Sequence, residues 1–357
     1  MKRSFGIDIL RTVSIAMVIF RHFGFYSGFN WGYFAVESLF IVSGYLIGQM
    51  LFHGYYATPV VEPAALKKFM FRRWLRVFPL YYFLLIVKFI LAPAIGINII
   101  YYFLFLQNHF YGVSFFPVTW TLGIEEWFYV LTPLIVYIFM RRVSAQPKHM
   151  LMLLAGIILI INLARFGWVY YSDRPWGGLT GNIPLRLDSP LIGVLLAFIK
   201  IKYTGVFNKI HRLPVFLCGL ALMGVYIWIL HIVRTPVDRM NDFLWTRTLS
   251  FTILALLVAM MLPYIEKSIP EPKHRLLKFV SAFMKWGGKL SFAMYLTHSD
   301  VHLYLEKYLH GKIPDLAIGW LAVPITIGLS LLLHHFIEKK ALDWRDKKQP
   351  DNWQSKI

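Results

Sequence analysis

The chain has 357 residues, 58% of them hydrophobic and 15% charged, with a mean hydropathy of +0.57. A soluble domain carries about 25% charged residues, so the composition excludes an ordinary water-soluble enzyme and points to a membrane protein. The net charge of +19 is compatible with nucleic-acid binding, but its uneven spread along the chain favours membrane topology. The single cysteine, Cys218, excludes an intrachain disulfide, and no Cys/His spacing suggests structural zinc.

Crossing about 30 Å of hydrocarbon takes roughly 20 helical residues. Ten apolar segments are predicted to do so, at about 6–26, 32–52, 74–92, 118–140, 150–171, 184–199, 213–232, 247–264, 286–306 and 316–337. A shorter apolar stretch, 95–110, is predicted to be re-entrant or interfacial. With the N-terminus inside, the inner connections hold 24 Lys and Arg residues and the outer ones five. That asymmetry is the positive-inside rule; it predicts cytoplasmic termini and an even number of spans. Asp8 and Arg11 interrupt the first apolar segment, which is expected to be a retained helix rather than a signal peptide. The expected fold is an all-α membrane bundle of about ten helices. Residues 1–340 are expected to form the membrane domain and 341–357 a polar cytoplasmic tail. No internal repeat and no appended soluble domain are expected.

Ionisable residues inside a membrane helix are costly and mark function by default. Arg11 and His22 are eleven residues apart, about 20° from the same face and roughly 16 Å apart along the axis. Snorkelling of Arg11 and interfacial placement of His22 is the plainer alternative. Glu37 is expected at the depth of His22 on the next helix, where a carboxylate fixes an imidazole's tautomer and raises its basicity. Ser43, Gly44 and Gly48 read as packing residues. Arg72, Arg73 and Arg76 cluster within a turn, either as a headgroup flank or as a phosphate clamp. Glu125 and Glu126 enter the membrane together, as a site or as a structural salt bridge. Arg186 and Asp188 either pair with each other or line an outer cavity. His298 and His302 are spaced i, i+4, too weak a pattern to assign a metal. His334, His335 and Glu338 are weaker still.

These residues together resemble the acyltransferase-3 family of integral membrane acyltransferases. Asp8 to Arg11 followed by His22 resembles the family's first-helix motif of a base, ten residues and histidine. Residues 32–48 are similar to its second-helix pattern, with Glu37 in place of aspartate. Arg73-Trp74-Leu75-Arg76 matches its Arg-x-x-Arg. Thr121 to Glu125 with Phe128 and Tyr129 is similar to its Ser-Leu-x-x-Glu-x-x-Phe-Tyr, with threonine for serine, and Tyr295 to His298 to its Tyr-Leu-x-His.

The resemblance implies an acyl-CoA donor, acetyl-CoA before others, and a hydroxyl acceptor on a cell-surface or lipid-linked glycan such as a polysaccharide or lipopolysaccharide O-antigen. It also implies a multi-pass protein of the cell membrane, the inner membrane in a Gram-negative cell. Arg11, Arg72, Arg73 and Arg76 are then expected to hold the CoA phosphates. His22 is expected to be the general base, oriented by Glu37, with an acetyl-His22 intermediate as a variant. Glu125 is expected to bind the sugar or shuttle a proton, and Tyr129, Asp188 and His298 to bind substrate. The rival class is a multi-span transporter or glycan-export partner, since membrane Glu, His and Arg also build proton relays.

Overall fold

The computed structural model describes residues 4–25, 31–55, 63–110, 112–173, 175–234, 239–272, 274 and 277–349. Among them every regular element is helical. The principal helices are α1 (Phe5–His22), α2 (Trp31–Tyr55), α3 (Pro63–Leu91), α4 (Trp120–Arg142), α5 (Pro147–Ser172), α6 (Asp188–Lys202), α7 (Thr204–Ile210), α8 (Leu213–Arg234), α9 (Ser250–Ser268), α10 (Lys278–Leu309), α11 (Asp315–Leu333) and α12 (Lys339–Lys348).

The ten predicted segments fall on α1–α6 and α8–α11. Seven spans among the described residues are long and apolar enough to cross a bilayer, or up to eight if α6 and α7, bent by 119°, form one broken span. The difference from ten has a physical origin. α1 carries Asp8, Arg11 and Arg21, and α10 carries Lys289, Asp300, Glu306 and Lys307 among its apolar residues. α6 alone has only 15 residues. The 95–110 stretch is broken into short pieces at Pro93–Asn98, Ile99–Phe103 and Gln107–Phe110, none long enough to cross. Gly96 and Phe105 sit at φ +55° and +56°, a left-handed conformation that interrupts a helix at a cost of roughly 1–3 kcal/mol for the non-glycine. The expected polar tail opens with α12; residues 350–357 lie outside the described residues.

The chain forms two compact units. The first is built from Met1–Val36, Lys67–Trp120 and Pro270–Ile357. Its centre is α1 against α10. Gly287 makes this close approach possible, because a Cβ there would lie 2.4 Å from Thr12 Cγ2. The Thr12 hydroxyl donates to Met284 O across the same seam (2.7 Å). α10 also packs on α11, and a π-helical turn, His334–Glu338, leads from α11 into α12.

The second unit is built from Glu37–Leu66 and Thr121–Ile269. Here α2 meets α6 through small residues: a Cβ on Gly44 would lie 1.9 Å from Pro190 O, and one on Gly193 2.3 Å from Ile41 O. The backbones touch, as small-residue seams in membrane helices allow. At one end of the unit, Lys200 donates to Glu266 (2.7 Å) and Gln49 (2.8 Å), and Tyr45 donates to Glu266 (2.5 Å).

Candidate active site

In the first unit the α1–α10 seam brings His22 and His298 together. Their rings meet edge to face, 4.9 Å between centroids and 72° between planes. His298 is fully buried and His22 is exposed. His298 Nδ1 lies 2.8 Å from Tyr295 O and 3.1 Å from Met294 O. Carbonyl oxygens only accept, so Nδ1 carries a proton and the neutral ring keeps its lone pair on Nε2. That Nε2 is buried with no hydrogen-bond partner among the described residues. Tyr295, one turn earlier, is pinned by donating to Val118 O (2.8 Å). His302, one turn later, stacks on Phe23 at 5.1 Å.

Arg11, three turns before His22, donates to Ser291 Oγ of α10 (2.9 Å). Glu338 in the π-turn is bonded to His334 Nδ1 (2.6 Å) and feels the charges of Arg76 and Arg11. Of the α3 cluster, Arg72 is buried, Arg73 half-buried and Arg76 exposed. Arg72 donates to Asp346 of α12 (3.0 Å) and to Gln349 O (2.5 Å).

In the second unit a polar network fills the interior. Glu37 accepts from Arg186, and both are buried. The Arg186 guanidinium lies 3.8 Å from the Phe251 ring centroid, an attraction that strengthens away from water. Asp188 takes Arg165 Nη2 on one oxygen (2.5 Å) and Thr252 Oγ1 on the other (2.6 Å). Arg165, fully buried, also donates to Leu185 O and Thr248 O. Tyr129 and Ser43 share a hydrogen bond between their hydroxyls. Glu126 is buried and Glu125 half-buried.

The sequence profile of the acyltransferase-3 family, described as an acyltransferase domain, matches residues 4–335. The chain belongs to the acyltransferase-3 family. A Staphylococcus aureus (strain MRSA252) protein provisionally named an O-acetyltransferase is 26% identical over 97% of this chain and 59% of its own length. The O-acetyltransferase OatA of Staphylococcus aureus (strain NCTC 8325 / PS 47) is 25% identical over 93% of this chain and 56% of its own length. The chain therefore spans a little over half the length of these relatives. No solved structure matches the chain.

Within this acyltransferase-3 chain, the acidic candidates Glu37 and Asp188 take arginine partners distant in sequence. The partner of Glu37 is Arg186, and the ring that meets His22 is that of His298. Arg186 and Asp188 do not pair with each other, since the first turns to Glu37 and the second to Arg165. Arg165 was missed, although a lone arginine inside the apolar 150–171 segment is the signal that singled out Arg11. Gly44 and Gly48 are packing positions, each with α6 backbone within 3 Å of a built Cβ. Cys218 is exposed and free.

Proposed function

We propose that this chain is a membrane O-acyltransferase that moves an acyl group, acetyl before others, from cytoplasmic acyl-CoA to a hydroxyl of a cell-surface or lipid-linked glycan. The observation that carries the reading is an accessible imidazole, His22, held against a second imidazole of fixed tautomer, His298, inside a chain of the acyltransferase-3 family. An O-acyl transfer needs a base for the acceptor hydroxyl, and one well-placed base supplies roughly 10²–10⁴-fold. His22 takes that role in the proposal, with acetyl-His22 as the covalent variant.

Arg11, Arg72, Arg73 and Arg76 hold the CoA phosphates in this reading, since guanidinium groups bind phosphate bidentately. Arg72 must exchange Asp346 for phosphate to do so. Glu125 and Tyr129 contact the sugar. Glu37 and Asp188, each bonded to a buried arginine, support the acceptor side by fixing helices. The proposed location is the cell membrane, with both termini cytoplasmic.

The test is mass spectrometry of surface glycans from cells with the gene, without it, and with a His22→Ala allele. Loss of the acyl mass in both altered strains supports the reading. Unchanged modification with less polymer at the surface refutes it in favour of transport.

A further inference from the structure

We propose that His298 is the proton-accepting partner of His22, so that the two imidazoles work as one relay; this rests on the acyl-transfer reading above. His298 is completely buried, yet its Nε2 has nothing to bond among the described residues. Leaving a polar atom so placed costs roughly 1–3 kcal/mol, and such an atom in a native structure calls for an explanation. The His22 ring lies edge to face beside it, and a proton handed over when a His22 nitrogen turns onto Nε2 would satisfy that atom.

Burial opposes a charge on His298, and the hydrogen bonds of its other nitrogen offset part of that cost. Nδ1 already donates to two carbonyls, those of Tyr295 and Met294. When Nε2 takes a proton, these become charge-assisted hydrogen bonds, about twice as strong as neutral ones. The bonds also hold the ring so that Nε2 stays the basic atom. His22 is exposed and edge to face with His298 at 4.9 Å. It suits the accessible position, taking a proton on one ring nitrogen and releasing one from the other.

The step balances as follows. The acceptor O–H bond breaks and its proton passes to His22, whose own N–H proton passes to His298 Nε2. The acceptor oxygen forms a bond to the thioester carbonyl carbon, and the C–S bond breaks with its electron pair leaving on the thiolate of CoA. The thiolate then recovers a proton by the reverse route. The charged and titratable groups acting on the pair are Arg21 of α1 and His302 of α10. From α11 and the 117–119 turn, the contacts beside His298 are the Ser330 hydroxyl on Thr297 and the Val118 carbonyl on Tyr295, neither of which titrates.

The decisive variant is His298→Asn, which keeps an amide N–H to donate where Nδ1 stands and has no basic nitrogen. Inside-out vesicles from cells lacking the chromosomal copy supply the native acceptor, and [14C]acetyl-CoA is the probe. Rates are compared, per mole of protein, for wild type, His298→Asn, His22→Ala and the double variant across pH 5.5–9. The expected result is a fall of about 10²-fold in maximal rate for His298→Asn, with the KM for acetyl-CoA within twofold and the acid limb of the pH profile displaced. The double variant is expected to be no slower than the worse single one, as for groups that act as a unit. A His298→Asn protein within threefold of wild type and with the same pH profile overturns the relay alone. Wild-type vesicles that transfer no label overturn the acyl-transfer reading and the relay with it.

Discussion

Arg165 offers the sharpest test of how the second unit is held together. Its guanidinium and the Asp188 carboxylate are both 0% exposed. It makes five hydrogen bonds, two to Leu185 O and one each to Thr248 O, Thr252 Oγ1 and Asp188 Oδ1. Arg165→Met keeps the apolar stem and removes all five. It strands two carbonyls and a carboxylate, and breaking a buried pair from one side destabilises by about 3–5 kcal/mol. Arg165→Met combined with Asp188→Leu removes both charges, and is expected to be less destabilised than the sum of the singles by about 1–3 kcal/mol. Reversible unfolding of the purified protein in mixed micelles, titrated with SDS, measures all four corners of the cycle. A single-variant loss under 1 kcal/mol, or strict additivity, would refute the view that this pair is a buried, mutually dependent unit.

Gly44→Ala places a methyl 1.9 Å from Pro190 O and is expected to destabilise by about 1–3 kcal/mol. Gly156→Ala meets nothing within 4 Å and is expected to change stability by less than 1 kcal/mol; the same SDS titration compares them. His22→Ala is expected to abolish acyl transfer while eluting from gel filtration as wild type does, and retained turnover removes its role as base. Asp346→Ala frees Arg72 of a carboxylate that is 52% exposed, so stability should shift by less than about 1 kcal/mol. The same variant is expected to lower the KM for acetyl-CoA if Arg72 binds phosphate; an unchanged or higher KM takes Arg72 out of the donor site.

Hydrophobic length located every long helix, because burying or membrane-embedding a helix requires an uninterrupted apolar run. Helix starts were less legible. α3 begins at Pro63 rather than near 74, and α10 at Lys278 rather than near 286. The extra turns carry Lys67, Lys68, Arg72 and Lys285, residues that form helix readily but read as loop on hydropathy alone. The depth argument placed Glu37 at the height of His22 but did not reveal its partner Arg186. Counting residues along an axis gives height but not which neighbour a side chain faces, and Arg186 comes from an element 149 residues away in sequence. The fixed tautomer of His298 was also hidden, since its partners are carbonyls of its own helix and any sequence has those.

The first unit is assembled from three stretches of chain separated by long intervals. Arg11 and Ser291, which meet across its central seam, are 280 positions apart, whereas 121–269 of the second unit is one continuous run. Synthesis proceeds from the N-terminus at about 5–20 residues per second. α1 therefore waits roughly 15–60 s at that rate before the ribosome has made its packing partner. During that wait a helix bearing Asp8, Arg11 and Arg21 has no α10 to shield it. The insertion machinery must hold it, and a truncation anywhere before α10 is expected to yield a protein that is cleared rather than stored.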